Sequence, residues 1–199
     1  MYYLKLMKEY MKLNISERTI YDRDFIFGII ALLIKQFIRF SIFAYIYQLV
    51  PDIKGWDTNQ LIFLYGVSML GFSVWESLCI NFITLPYYIK RGEFDRFLLR
   101  PLHPLLQIAC DGFDDDSWGE LIIAIAIVVW SVFHVNLSFI EIISIPVIVL
   151  ISFLVYCGIS ILLSTVSFYT VAQADIANLT YEISDFAKYP MTIFPGWLQ

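Results

Sequence analysis

Long apolar stretches alternate with short polar ones along this chain. Four of them approach or exceed the roughly 20 mainly apolar residues that a bilayer crossing needs, at about 25–50, 61–85, 121–139 and 142–171. The pattern predicts an all-α, polytopic transmembrane protein with four spans in a single domain over residues 1–199. The last stretch is long enough to tilt or to extend past the lipid. The turn between the third and fourth spans is expected near Ile140–Glu141.

Two polar segments carry their own periodicity. Lys5, Lys8, Glu9 and Lys12 recur at helical spacing, with Tyr3, Leu6, Met7, Tyr10 and Leu13 opposite. That predicts an amphipathic helix lying along the membrane surface in contact with lipid. The first residues lack the apolar core and small-residue cleavage site of a signal peptide.

Between the second and third spans runs IKRGEFDRFLLRPLHPLLQ, Ile89 to Gln107. Phe94, Phe97 and Leu98 fall on one face of a short helix, and Glu93, Arg96 and Arg100 on another. Arg91 and Asp95 are four apart and are expected to pair weakly. Pro101 is expected to end the helix, and Pro104 to keep another from resuming at once. A stiff amphipathic knob of this kind suits force transfer to a soluble partner. A solvated basic loop would also satisfy the same residues.

Charge fixes the expected orientation. Ten Lys and Arg residues fall on one side: Lys5, Lys8, Lys12, Arg18 and Arg23 before the first span, Lys90, Arg91, Arg96 and Arg100 in the central loop, and Lys188 in the tail. Lys54 alone falls on the other. By the positive-inside rule the N-terminus, central loop and tail are expected to be cytoplasmic. Composition agrees with a membrane protein: 59% of residues are hydrophobic and 16% charged, against about 25% charged in soluble domains. Mean hydropathy is +0.72. No basic tract supports nucleic-acid binding.

Three charges lie inside spans. Lys35 and Arg39 share a face of the first, and Glu76 lies in the second. Such charges face a partner or a cavity. Lys35 and Glu76 are each about ten residues from the cytoplasmic end of their span, so an interspan Lys35–Glu76 ion pair is expected, with Arg39 nearer the outside. The two readings are a pair fixing helix register and a contact for polar substrate headgroups.

No catalytic or metal-binding constellation stands out. Gly66 and Gly71 have the glycine spacing of a phosphate-binding loop, but Phe72 and Ser73 follow where Lys and Ser/Thr are needed. Any ATP and Mg²⁺ would therefore be bound by a partner. Cys79, Cys110 and Cys157 have neither metal-ligand nor disulfide spacing. His103 and His134 read as structural. Asp111, Asp114, Asp115 and Asp116 could hold Mg²⁺ against a diphosphate, as in a membrane prenyltransferase-like enzyme. Asp175, Glu182 and Asp185 are too scattered to supply its second acidic cluster.

The central loop also resembles a bacterial family of ABC-2 type transporter permeases. The residues that carry the resemblance are Lys90-Arg91-Gly92-Glu93-Phe94-Asp95-Arg96-Phe97-Leu98-Leu99-Arg100-Pro101-Leu102, then Pro104-Leu105 and Gln107. The segment from Phe168 to Gln199, with Tyr189-Pro190 and Ile193-Phe194-Pro195, is similar to the family too. DFIFGIIALLIKQFIRF and LIFLYGVSMLGFSVWES occupy its first and second spans. The resemblance implies a multi-pass permease subunit of an exporter in the bacterial cell membrane, working by alternating access as a homo- or heterodimer. It implies a coupling helix between spans two and three that docks on a separate ATP-binding subunit. The contact is then expected from Glu93, Phe94, Asp95, Arg96, Phe97 and Arg100, with a second cytoplasmic contact from Asp185–Pro190. The family has six spans where four are legible here, so the chain reads as C-terminally incomplete. It also carries more acids at Asp111–Glu120. A membrane interaction protein without transport activity would share these features.

Overall fold

The computed structural model describes residues 22–49, 55–100, 102–111, 115–170 and 175–196. The expected amphipathic N-terminal segment lies outside them. Among the described residues the architecture is helical, without strands: α1 (Asp22–Leu49), α2 (Thr58–Cys79), α3 (Leu85–Lys90), α4 (Asp95–Leu98), α5 (Pro104–Ala109), α6 (Asp115–His134), α7 (Phe139–Thr165) and α8 (Asp175–Phe186). Among the described residues three helical segments are long and apolar enough to cross a membrane: Thr58–Lys90, Ser117–His134 and Phe139–Phe168. The first expected span forms one helix of 28 residues, about 42 Å at 1.5 Å per residue.

Helix ends follow local chemistry. Asp57 N–H donates to Gln60 Oε1 (3.1 Å), starting α2. Ser138 and Glu141 form a reciprocal cap at α7: Ser138 N–H donates to Glu141 Oε2 (2.6 Å), and Glu141 N–H to Ser138 Oγ (3.4 Å). This satisfies donors that a helix start leaves without partners. The turn between the third and fourth spans therefore lies at Val135–Ser138, a few residues before the expected Ile140–Glu141.

Helix α2 is the hub. It packs most extensively on α6 and then α7, while α1 lies chiefly on α6 and α8 on α7. Gly66 and Gly71 make that packing possible. A Cβ on Gly66 would fall 2.8 Å from the Ile127 side chain of α6, and one on Gly71 2.7 Å from Ser152 Cβ of α7. The glycine pair that has phosphate-loop spacing thus serves helix packing on two sides.

Two clusters form the core. One joins Phe43, Leu61, Ile62, Tyr65, Met69, Ala124 and Ile127 toward the α6–α7 turn. The other surrounds Trp75 at the opposite end of the spans, and it takes in Phe97 and Ile108 of the central loop. Trp75 is fully buried, and its Nε1–H donates to Ser160 Oγ of α7 (3.2 Å). Helix α7 exposes most of its surface, including Leu150, Ile151 and Leu154. That suits a lipid-facing helix, since apolar surface carries no penalty in hydrocarbon.

Candidate functional site

The central loop is built on the ends of the spans. After α2 the chain tightens into a 3₁₀ turn, Ile80–Phe82. Ser164 Oγ of α7 donates to Phe82 carbonyl (2.6 Å), and Asn81 Nδ2 to Ala109 carbonyl (3.2 Å). Gly92 then takes a positive φ of 70°, a conformation L side chains resist. It turns the chain from α3 into α4.

One carboxylate organises the loop surface. Asp111 Oδ2 accepts from Tyr88 OH (2.7 Å) and from Arg96 Nη2 (2.8 Å). The Arg96 guanidinium also lies over the Phe97 ring, 4.8 Å from its centroid, and over Tyr88 at 5.3 Å, within cation–π range. Beneath it Phe97 is fully buried, with Tyr88 edge-on at 5.2 Å. Phe94 packs edge-on against Phe168 (5.1 Å), just past α7. Gln107 Nε2 bridges the carbonyls of Phe97 (2.9 Å) and Leu102 (2.8 Å), tying α5 beneath α4. What faces outward is Asp95, Leu98, Leu99 and Arg100, with Leu99 87% exposed.

A second site lies between the helices, near the loop end of the spans. A cavity of about 450 Å³ is walled by Lys35, Gln36 and Arg39 of α1, and by Phe72, Glu76 and Ile80 on the α2 side. Glu120 of α6 closes it, and Tyr181, Ser184, Asp185 and Lys188 complete it from the tail. Gln36, Glu76, Glu120, Ser184 and Lys188 are buried, whereas Lys35, Arg39 and Asp185 are exposed at the rim. Gln36 Nε2 donates to Glu120 Oε2 (2.7 Å), and Lys188 Nζ to Asp185 Oδ1 (2.6 Å). Three cations and three carboxylates line one cavity.

A family model described as ABC-2 family transporter protein matches residues 33–199. The chain belongs to that family. It is a multi-pass membrane protein of the ABC-2 transporter family, and the match covers both sites. Neither curated proteins nor solved structures give a match.

The ABC-2 chain departs from its sequence pattern in four places. Arg91 does not pair with Asp95. It stacks on Tyr87, 4.1 Å from the ring centroid, and lies 4.0 Å from Glu93, because Gly92 turns the chain between them. Helix α4 is one turn long, so Leu98 is exposed and does not join Phe94 and Phe97. Pro104 begins α5 and does not delay a helix. Its missing N–H costs nothing at a first helical position.

The fourth departure concerns the tail. Tyr181 packs against Phe72 (5.6 Å), Ser68 Oγ donates to Ala187 carbonyl (2.7 Å), and the Tyr189 ring lies 6.4 Å from Phe43. The chain thus climbs back among the spans. Asp185–Pro190 lies beside α1 and α2, and Asp185 and Lys188 line the charged cavity instead of joining the surface of the central loop.

Lys35, Arg39 and Glu76 do share one cavity. Glu120, Gln36 and Lys188 join them there, none of which the sequence pattern places beside them. Of the acidic run, Asp111 binds Arg96 and Tyr88, while Gly112–Asp114 lie outside the described residues. His103 caps α5 through its carbonyl, and His134 Nδ1 bonds Trp130 carbonyl (2.8 Å) with the two rings stacked at 4.0 Å.

Proposed function

We propose that this chain is the permease subunit of an exporter driven by a separate ATP-binding subunit, with the central loop cytoplasmic and serving as the docking element. The observation that carries this reading is the loop's construction. A charged surface row and two exposed leucines, Asp95, Leu98, Leu99 and Arg100, stand on a base locked by Phe97, Asp111 and Gln107. Exposed apolar side chains beside charges, on a preorganised base, are what a protein partner's pocket can use.

Within the expected contact set, Phe94 and Phe97 then anchor the loop, and Arg96 divides between its bond to Asp111 and the surface. Glu93, Asp95 and Arg100 keep their expected place in the contact. A second permease copy completes the transport unit in this reading, and the energy comes from the partner's ATP and Mg²⁺. The test is co-purification of the tagged full chain, in lipid nanodiscs, with the ATPase encoded beside it. Leu98→Asp/Leu99→Asp is expected to abolish retention while the permease still elutes as a single species. Retention unchanged by that double substitution, or absent with wild type, overturns the docking assignment.

A further inference from the structure

The charged cavity contains a group that calls for a ligand. Gln36 is 3% exposed, and its Oε1 has no hydrogen-bond partner. Its orientation is fixed by Glu120, whose Oε2 takes the amide Nε2–H at 2.7 Å. Flipping the amide would set its oxygen against a carboxylate that only accepts. A buried acceptor left unmatched is costly, so Oε1 marks a position where an N–H or O–H donor fits. One turn along the same face, Arg39 is exposed at the rim, and among the described residues no hydrogen bond or ion pair engages its guanidinium. It offers planar donors suited to phosphate or carboxylate.

The two groups sit on one helix face, about 5 Å apart along the axis by helical rise. The lining between them balances three cations with three carboxylates, so a ligand with one net charge would unbalance it. A ligand carrying both signs would not. The cavity volume falls in the range of small-molecule sites, and Phe72 and Tyr181 give it an apolar wall.

We infer that this cavity binds a zwitterionic headgroup whose anionic group meets Arg39 and whose primary ammonium donates to Gln36 Oε1 beside Glu120. The chemistry is that of a phosphoethanolamine diester, whether in soluble glycerophosphoethanolamine or as a lipid headgroup. The N–H requirement is the discriminating feature: a quaternary ammonium has the same charge and no donor. The site fills without an ATPase, so it stands apart from the docking assignment.

The test is native mass spectrometry of the full chain in detergent. The probes are the dioctanoyl forms of phosphatidylethanolamine, phosphatidylcholine and phosphatidylglycerol, and free glycerophosphoethanolamine. Wild type is expected to bind the ethanolamine lipid about tenfold tighter than the choline or glycerol lipid, the scale of one charge-assisted hydrogen bond. Arg39→Gln should lose at least tenfold, Arg39→Lys less. Gln36→Met should bring the ethanolamine-to-choline ratio to about one. Free glycerophosphoethanolamine competing at equal concentration identifies the soluble compound as the source, and failure to compete identifies the lipid. Equal binding of all three lipids by wild type, or an affinity for the ethanolamine lipid that Arg39→Gln leaves unchanged, overturns the assignment. The wild-type comparison and Arg39→Gln at the rim decide it even where Gln36→Met does not fold.

Discussion

Replacing Phe97 with Ala tests whether the central loop is held from beneath. The ring is fully buried, shares a cluster with Trp75 and Ile108, and lies under Arg96. Truncating such a ring costs about 3–5 kcal/mol. Confined to the loop, that raises the population of its open form by about two to more than three orders of magnitude. Trypsin supplies the assay, because Lys90, Arg91 and Arg96 all lie in the segment that would open. Where closing outpaces cleavage, the cleavage rate follows the open population. Leu99→Ala, at 87% exposure, is the control and should change the rate less than about threefold. Asp111→Asn should fall between, by about fivefold, since its Arg96 partner is half exposed and screened. The protein is held in nanodiscs, and single-species elution confirms intact spans. If Phe97→Ala and Leu99→Ala are cut at the same rate, the loop is not anchored through Phe97.

Two further outcomes follow from close packing and burial. Gly71→Ala forces Ser152 Cβ away from 2.7 Å, so thermal challenge in detergent should aggregate it earlier than wild type, at a cost of about 1–3 kcal/mol, while Gly158→Ala, with nothing within 4 Å, should not. Burial pushes the Cys110 thiol up from its ordinary value, so less thiolate is present at pH 8 than for an exposed cysteine. Maleimide labelling followed by peptide mapping should show Cys110 reacting more slowly than a cysteine placed at Leu99, with the gap closing as pH rises.

The spans were legible because composition alone dictates them. Residues 142–171 carry no charge on any face and residues 61–85 only Glu76, and only a lipid-facing or deeply packed helix tolerates that. The turn at Val135–Ser138 was legible in principle, because Ser138 and Glu141 have capping-box spacing just ahead of an apolar run. Val135, Leu137 and Phe139 extend the apolar pattern past that turn, so hydropathy alone places it later. The tail's return was not legible. It depends on Tyr181 finding Phe72, and on Ser68 finding the Ala187 carbonyl, 119 residues away. Local periodicity carries no such information. The charged cavity was half legible: Lys35, Arg39 and Glu76 stood out as charges inside spans. Glu120 did not, because the third span was expected to begin after it, whereas α6 starts at Asp115.

The continuity of the core through Phe97, Ile108, Trp75 and Tyr156 has a mechanical consequence. Close-packed interiors have low compressibility and transmit strain. A load applied at Leu98 or Leu99 meets no soft joint before it reaches α2 and α7, because Ser164 to Phe82 and Asn81 to Ala109 stitch the same boundary. The loop and the adjoining ends of those two helices therefore form one stiff unit. Its compliance lies farther out, where Pro146 interrupts the α7 hydrogen-bond ladder.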